Sequence, residues 1–292
     1  MHPFIRNTII FLLQLLARLV IKKYKPKIVA VTGSVGKTST KDAVAARLGA
    51  QKKVWKSKKS QNSEIGVAIT VLGCENAWGS IPGWLANIWH GIMMLVFRQD
   101  YPEWLVLEIG IGKPGDMKKT AGWLKTDVVV TSLFGETPVH VEFFADKDGV
   151  SIEEFSLVQT LKPDGILVVN QDDEKIPMLL EKMPAPGRIV TYGFSAKAQV
   201  HGSHVQVLYE KKDKAWSVPT GMAMRVDIEG SSLPITLRGG VGAGHVTAPL
   251  AACAVLHALG MNTVESLKVF DDVSTMFQPG RMRLIDGREG ST

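Results

Sequence analysis

At 292 residues and 45% hydrophobic content the chain can fill one large core, or a domain and a half, which excludes a disordered or fibrous protein. Its two cysteines, Cys74 and Cys253, lie far apart with no CxxC or Cys/His cluster near either. That argues against a disulfide framework or a zinc site and fits a reducing cytoplasm. The net charge of +6 is an N-terminal property: residues 1–59 hold 14 Lys/Arg and one acid, Asp42, leaving 20 basic and 27 acidic residues beyond. Such an excess attracts nucleic acid or an anionic membrane surface, and the apolar sequence around it selects the membrane.

The first element, "FIRNTIIFLLQLLARLVIKKYKPK", is apolar from Ile9 to Ile21 except at Gln14 and Arg18. At about 100° per residue, Asn7, Gln14, Arg18, Lys22 and Lys25 form one stripe with Leu, Ile and Phe over the rest. The pattern predicts a helix over residues 1–26 lying in a membrane interface, basic side outward. A tilted anchor and a helix packed on its own protein or a partner are the alternatives. A signal peptide is discounted, because lysines and Pro26 follow where a small-residue cleavage site should stand. Residues 78–98, "WGSIPGWLANIWHGIMMLVFR", are either a second apolar surface bearing three tryptophans or a buried helix.

From Lys27 strands and helices alternate. "KIVAVTG" reads as a strand, and "KTSTKDAVAARLGA" as the helix after it. The intervening Gly33-Ser34-Val35-Gly36-Lys37-Thr38 is a shortened relative of the GxxxxGK[ST] loop. Its glycines admit an anion to the backbone and the helix N-terminus, Lys37 reaches β- and γ-phosphates, and the Thr38 hydroxyl suits Mg²⁺. Apolar strands follow in "WLVLEIG" (104–110), "DVVVTSL" (127–133) and "GILVVNQDD" (165–173). In a parallel sheet their carboxyl ends would turn Glu108, His140 and Asp172 or Asp173 toward the nucleotide. Residues 199–240 change to alternating runs, predicting a small antiparallel sheet, and "HVTAPLAACAVLHALG" restores a helix ending near Gly260. The expected fold is α/β: a P-loop, doubly wound, mostly parallel sheet with a small antiparallel part, preceded by an amphipathic helix.

Together these blocks resemble the ATP-dependent Mur ligases, most closely the central domain of the MurF type. The resemblance rests on "TGSVGKTSTKDAV", "NSEIGVAITVLG", "LEIGIGKPGDM", "TSLFGETPVHVEFF", "GILVVNQDDE", "LAACAVLHALGM" and "QPGRMRLID", in that order. It implies a central domain over residues 27–286 and the start of a C-terminal ligase domain at 287–292. It also implies ATP-driven amide formation in peptidoglycan precursor synthesis, through an acyl phosphate. The acid would be a UDP-MurNAc-peptide or a relative, and the amine an amino acid or dipeptide. By the same resemblance ATP meets Gly33, Ser34, Val35, Gly36, Lys37, Thr38, Ser39, Asn62, His245 and Arg281. Mg²⁺ meets Thr38, Glu108 and His140, and the catalytic set is Lys37, Glu108 and His140.

Two departures stand out. Where the family carries a carbamylated lysine, this chain has Glu154, read either as a metal-binding carboxylate or as a solvated helix acid. The asparagines expected near adenine are missing from "GAGHVTAPLAA", leaving His245. Rival readings are a folylpolyglutamate synthase-like ligase, a ligase for a lipid-linked precursor, and a membrane-bound nucleotide switch without catalysis. The expectation is a cytoplasmic protein peripheral to the inner membrane face, with no nucleic-acid partner. Because the sequence stops soon after Asp286, it is expected to bind Mg-ATP but form no product by itself, as either a fragment of a longer gene or half of a two-chain enzyme completed by a C-terminal ligase domain in trans.

Overall fold

The computed structural model describes residues 3–58, 61–135, 141–144, 146–185, 187–211 and 217–262. One nine-stranded sheet organises them, in the order β2-β3-β1-β4-β5-β6-β7-β8-β9. The strands are β1 (Lys27–Thr32), β2 (Val54–Lys56), β3 (Trp104–Glu108), β4 (Thr126–Thr131), β5 (Leu161–Asn170), β6 (Arg188–Gly193), β7 (Val200–Lys211), β8 (Ser217–Ile228) and β9 (Ser231–Arg238). Neighbours from β2 through β7 pair in parallel, and β7-β8-β9 pair antiparallel. The antiparallel part thus extends the same sheet, joined where Tyr192 and Gly193 face Val200 and His201.

Helices cover both faces, and so the central strands read as unbroken apolar runs. In β1 the side chains alternate: Val29 and Val31 join the core beneath α2 (Lys37–Gly49) and α8 (Ala243–Ala258), with Ala43, Val44, Leu48 and Ala251. Ile28 and Ala30 join the opposite core, with Leu13, Ala17 and Val20 of α1 (Pro3–Tyr24) and Ile69 and Val71 of α3 (Glu64–Val71). Also in the chain are α4 (Ile81–Val96), α5 (Asp116–Ala121), α6 (Lys147–Phe155) and α7 (Ile176–Lys182).

Helix α1 packs onto its own domain. Leu13, Ala17 and Val20 are fully buried, and Leu16 fills the space that a Cβ at Gly91 of α4 would need. Lys23 Nζ donates to the carbonyls of Met94, Leu95 and Phe97 at 2.9, 2.9 and 3.0 Å, capping α4 where its orphan carbonyls gather. The polar stripe expected to face outward turns instead partly toward the fold. Gln14 Nε2 donates to the Lys119 carbonyl of α5 at 3.1 Å, and the Arg18 guanidinium lies 5.8 Å from the Trp123 ring centre. Among the described residues, Phe4–Tyr24 is the one helix long and apolar enough to cross a membrane, and 33% of its most apolar window is buried in the fold.

Helix α4 starts with Ser80 Oγ accepting from the Gly83 N–H at 3.1 Å and carries Pro82 in its first turn. It is neither wholly buried nor wholly exposed: Trp84 and Met94 lie in the core, Leu85 and Trp89 in solvent.

Candidate nucleotide site

The register brings Val31 beside Glu108, and Thr32 beside Thr131, so the carboxyl ends of β3, β1 and β4 open on one edge. Gly33 and Gly36 leave β1 with φ of 125° and 87°, values open to glycine but costly for other residues. A Cβ on Gly33 would also collide with Ser132 Oγ. The N–H groups of Ser34 and Val35 donate to the Leu133 carbonyl at 2.9 and 2.8 Å. The loop is therefore braced by the segment after β4, and the Val35 side chain points to solvent, 58% exposed.

Lys37 opens α2 and folds back, its ammonium donating to the Gly33 carbonyl and lying 3.2 Å from Glu154 Oε1. Glu154 Oε2 accepts from Ser34 Oγ at 2.7 Å. Asp146 caps α6 through the Gly149 N–H at 2.7 Å, and burial of Val150 and Phe155 on the inner face of α6 directs the adjacent Glu154 to the loop. Only 3% of Glu154 is exposed, so it is not a solvated helix acid; here it is paired with Lys37.

On the other side Thr38 Oγ1 donates to Glu108 Oε1 at 3.0 Å, and Asn62 Nδ2 approaches the same oxygen at 3.5 Å. Behind them sits a buried charge set that sequence reasoning missed. Lys41 Nζ lies 3.8 Å from Glu108 Oε2 and 3.1 Å from Asp42 Oδ1, and donates to the Ser57 carbonyl at 2.9 Å. Ser57 Oγ in turn accepts from the Glu108 N–H at 3.1 Å. The signal was available in "KTSTKD": Lys41 lies one helical turn beyond Lys37 and Thr38 and shares their face.

Two neighbouring cavities adjoin these groups. The smaller, about 190 Å³, is lined by Ser34, Lys37, Asn62, Gly110, Val150 and Glu154 among others. The larger, about 700 Å³, shares Asn62, Gly110 and Ile111 with it and reaches Arg6 and Asn7 of α1 and Lys113 and Lys119 around α5. Arg6 carried no signal in the sequence, and Asn7 was read only as part of the polar stripe.

The remaining expected residues are placed as follows. Ser39 is buried in the first turn of α2. His245 is buried at the start of α8, where its ring occupies the space a Cβ at Gly240 would take, and it lines neither cavity. Asp173 accepts from the Phe134 N–H at 2.7 Å and Asp172 from Phe194 and Ser195 at 2.6 and 2.8 Å, so both carboxylates hold backbone loops. His140, Arg281 and the expected boundary at residues 286–292 lie outside the described residues. Burial pushes the thiol of Cys74 up to about 11 and that of Cys253 up to about 12, which leaves neither as a nucleophile near neutral pH.

The Thr38 hydroxyl and Glu108 carboxylate are hard oxygen donors at the foot of the loop, which is the ligand chemistry Mg²⁺ takes. Among the described residues no three His, Cys, Asp or Glu side chains converge, so an ion there would complete its shell with phosphate and water.

A P-loop on the carboxyl edge of a doubly wound sheet, with its lysine folded onto the loop and its threonine bonded to the strand-end glutamate, defines a nucleotide-binding α/β domain. Residues 31–233 match the model of the Mur ligase middle domain, and the chain belongs to that family. It is 28% identical over 161 residues to the UDP-N-acetylmuramoyl-tripeptide–D-alanyl-D-alanine ligase of Bacillus subtilis, a match covering 55% of this chain and 30% of that protein. The crystal structure of MurF from Acinetobacter baumannii superposes with a TM-score of 0.72 at 20% identity, covering 95% of this chain and 52% of that one. MurF from Thermotoga maritima, solved in complex with ADP, gives 0.65 at 19% identity, covering 89% and 52%. The matches thus cover from 30% to 52% of the length of these relatives.

Proposed function

We propose that this chain is the ATP-binding module of a MurF-like ligase that joins a peptidoglycan-precursor acid to an amine through an acyl phosphate. One observation carries the reading: the pocket lined by Lys37, Glu154 and Asn62 shares Asn62, Gly110 and Ile111 with the larger cavity, where Arg6, Lys113 and Lys119 outnumber Glu64 and Asp116. That arrangement holds a γ-phosphate beside an acid. A carboxylate oxygen of the acid attacks the γ-phosphorus and ADP departs. The amine nitrogen then attacks the acyl carbon, the C–O bond to phosphate breaks, and the nitrogen loses a proton.

The chain's own groups serve the first step. Lys37 exchanges the Gly33 carbonyl and Glu154 for the β- and γ-phosphates, which places a cation where negative charge develops. Thr38 and Glu108 would hold Mg²⁺, with Lys41 and Ser57 fixing the glutamate; when bound, the ion neutralises phosphate charge. Glu154 would take the place of the family's carbamylated lysine if a second ion binds, and the resemblance names His140 as the further ligand such an ion would use. Arg6, Lys113 and Lys119 draw the anionic acid into the larger cavity.

The reading includes a C-terminal ligase domain that supplies the amine, and a site of action in the cytoplasm at the inner membrane face. The names of the relatives suggest a UDP-MurNAc-tripeptide and D-alanyl-D-alanine. The test is Mg-ATP binding by calorimetry, then phosphate release with those substrates, with and without a Mur ligase C-terminal domain added in trans. ATP binding with phosphate release that requires both acid and amine is expected. Absence of ATP binding, or release indifferent to the acid, overturns the proposal.

A further inference from the structure

Helices α1 and α4 meet where Leu16 fills the space beside Gly91, and each carries an apolar stripe that the fold leaves uncovered. On α1 the stripe is Phe11, Leu15 and Leu19, at successive four-residue steps, with Phe11 64% exposed. On α4 it is Leu85, Trp89, Ile92 and Val96, with Trp89 and Val96 both 62% exposed. Leu15 and Ile92 directly adjoin the contacting pair Leu16 and Gly91 in sequence, so the two stripes flank one seam. Isolated exposed apolar side chains are ordinary; two aligned stripes on neighbouring helices form a surface.

Charge identifies what covers it. Neither α1 nor α4 contains an aspartate or glutamate; Arg18 and Lys22 on α1, with Lys25 and Arg98 just past the two helices, are cations, and the acids beside α4, Glu75 and Asp100, are paired with Lys58 and Lys53. A second copy seated on this face would set those cations against their like. An anionic lipid surface complements them, accepts the apolar stripes below the headgroups, and suits tryptophan at that depth. A spanning arrangement fits poorly, because Leu13, Ala17 and Val20 would have to leave the core.

We propose that the α1/α4 face docks the folded domain flat on an anionic bilayer, with Leu15, Leu19, Leu85 and Trp89 inserted and no segment crossing it. The proposal specifies the surface for the membrane location suggested above. It does not depend on the ligase chemistry, which ATP binding checks separately.

The experiment is co-flotation of the whole chain with phosphatidylcholine vesicles, with and without phosphatidylglycerol. The expected result is binding that requires the anionic lipid and weakens roughly tenfold between about 0.05 and 0.5 M salt. The pair Leu85→Glu and Trp89→Glu should abolish flotation, and Lys22→Glu with Arg98→Glu should weaken it at least several-fold. Both variants should retain parental Mg-ATP affinity and circular dichroism. If a charged-face variant misfolds, quenching of tryptophan by lipids brominated at shallow depth reads insertion in the parent chain. Failure of the parent to float, equal binding to neutral vesicles, or resistance to alkaline extraction would each overturn the proposal. So would a concentration-dependent dimer dissolved by the same α4 substitutions.

Discussion

Lys37 and Glu154 lie 3.2 Å apart in a pocket with the Ser34 hydroxyl, so the lysine that should grip phosphate is held by a carboxylate. ATP must break this pair before it gains the lysine. Glu154→Gln should therefore tighten ATP binding several-fold in buffer without divalent ions, because Lys37 is released. With Mg²⁺ present the same change should raise the metal concentration needed, because a ligand is lost, and bicarbonate should make no difference. Paired nucleotide and metal titrations read both effects; curves that match the parent in both buffers would reject a role for Glu154.

Removing the lysine itself acts in one direction. Lys37→Ala should weaken Mg-ATP binding at least tenfold, about 1.4 kcal/mol, through loss of a charge-assisted phosphate contact. Calorimetry decides, and an unchanged affinity would place the nucleotide elsewhere.

Lys41 is wholly buried between Asp42 and Glu108. Lys41→Met preserves volume but strands two carboxylates in the core, at a cost of about 3 kcal/mol in unfolding free energy. Lys56, 2.8 Å from Asp42 Oδ1, offsets part of it. Urea denaturation measures the loss, and a midpoint equal to the parent's would show the pairing to be energetically idle.

Arg6 reaches the larger cavity from the first turns of α1 and takes no part in the phosphate pocket. With a complete ligase, Arg6→Glu should raise the KM for the acid substrate at least tenfold while that for ATP stays put. Parallel increases in both constants would contradict the assignment of this cavity.

The buried thiols predict a pH effect with a definite sign. Cys253 rises from 9.0 to about 12 and Cys74 to about 11 on folding, both through burial. The unfolded chain loses these protons first, so stability is intact below about pH 9 and falls as pH rises toward 11, by about 1.4 kcal/mol per pH unit for each thiol. Cys253→Ala should flatten this slope in denaturation experiments between those limits.

How much of this was legible depended on what carries each feature. β1, β3, β4 and β5 were readable because strands covered on both faces must be apolar throughout. β2, three residues long, and β6, with Thr191 and Gly193 in its run, lack that signature. The loop lysine and threonine were legible because local spacing fixes them. The Leu133 carbonyl that braces the loop was not, since a backbone acceptor leaves no trace in side-chain identity. The polar residues of α1 could be read from their spacing, but the direction of Gln14 and Arg18 was set by partners far along the chain, Lys119 and Trp123.

The placement of β1 between β3 and β4 has a consequence for how the protein is made. Its hydrogen-bonding partners lie well downstream, so β1 cannot be paired on one edge until β3 is complete at Glu108, or on the other until β4 is complete at Thr131. Such long-range parallel pairing pays its loop-closure entropy before any contact repays it, and folds slowly. The phosphate loop hangs from that strand and leans on Leu133 just beyond β4. Nucleotide affinity should therefore appear abruptly and late during synthesis, when the segment after β4 docks, and nascent chains ending before it should be blind to ATP.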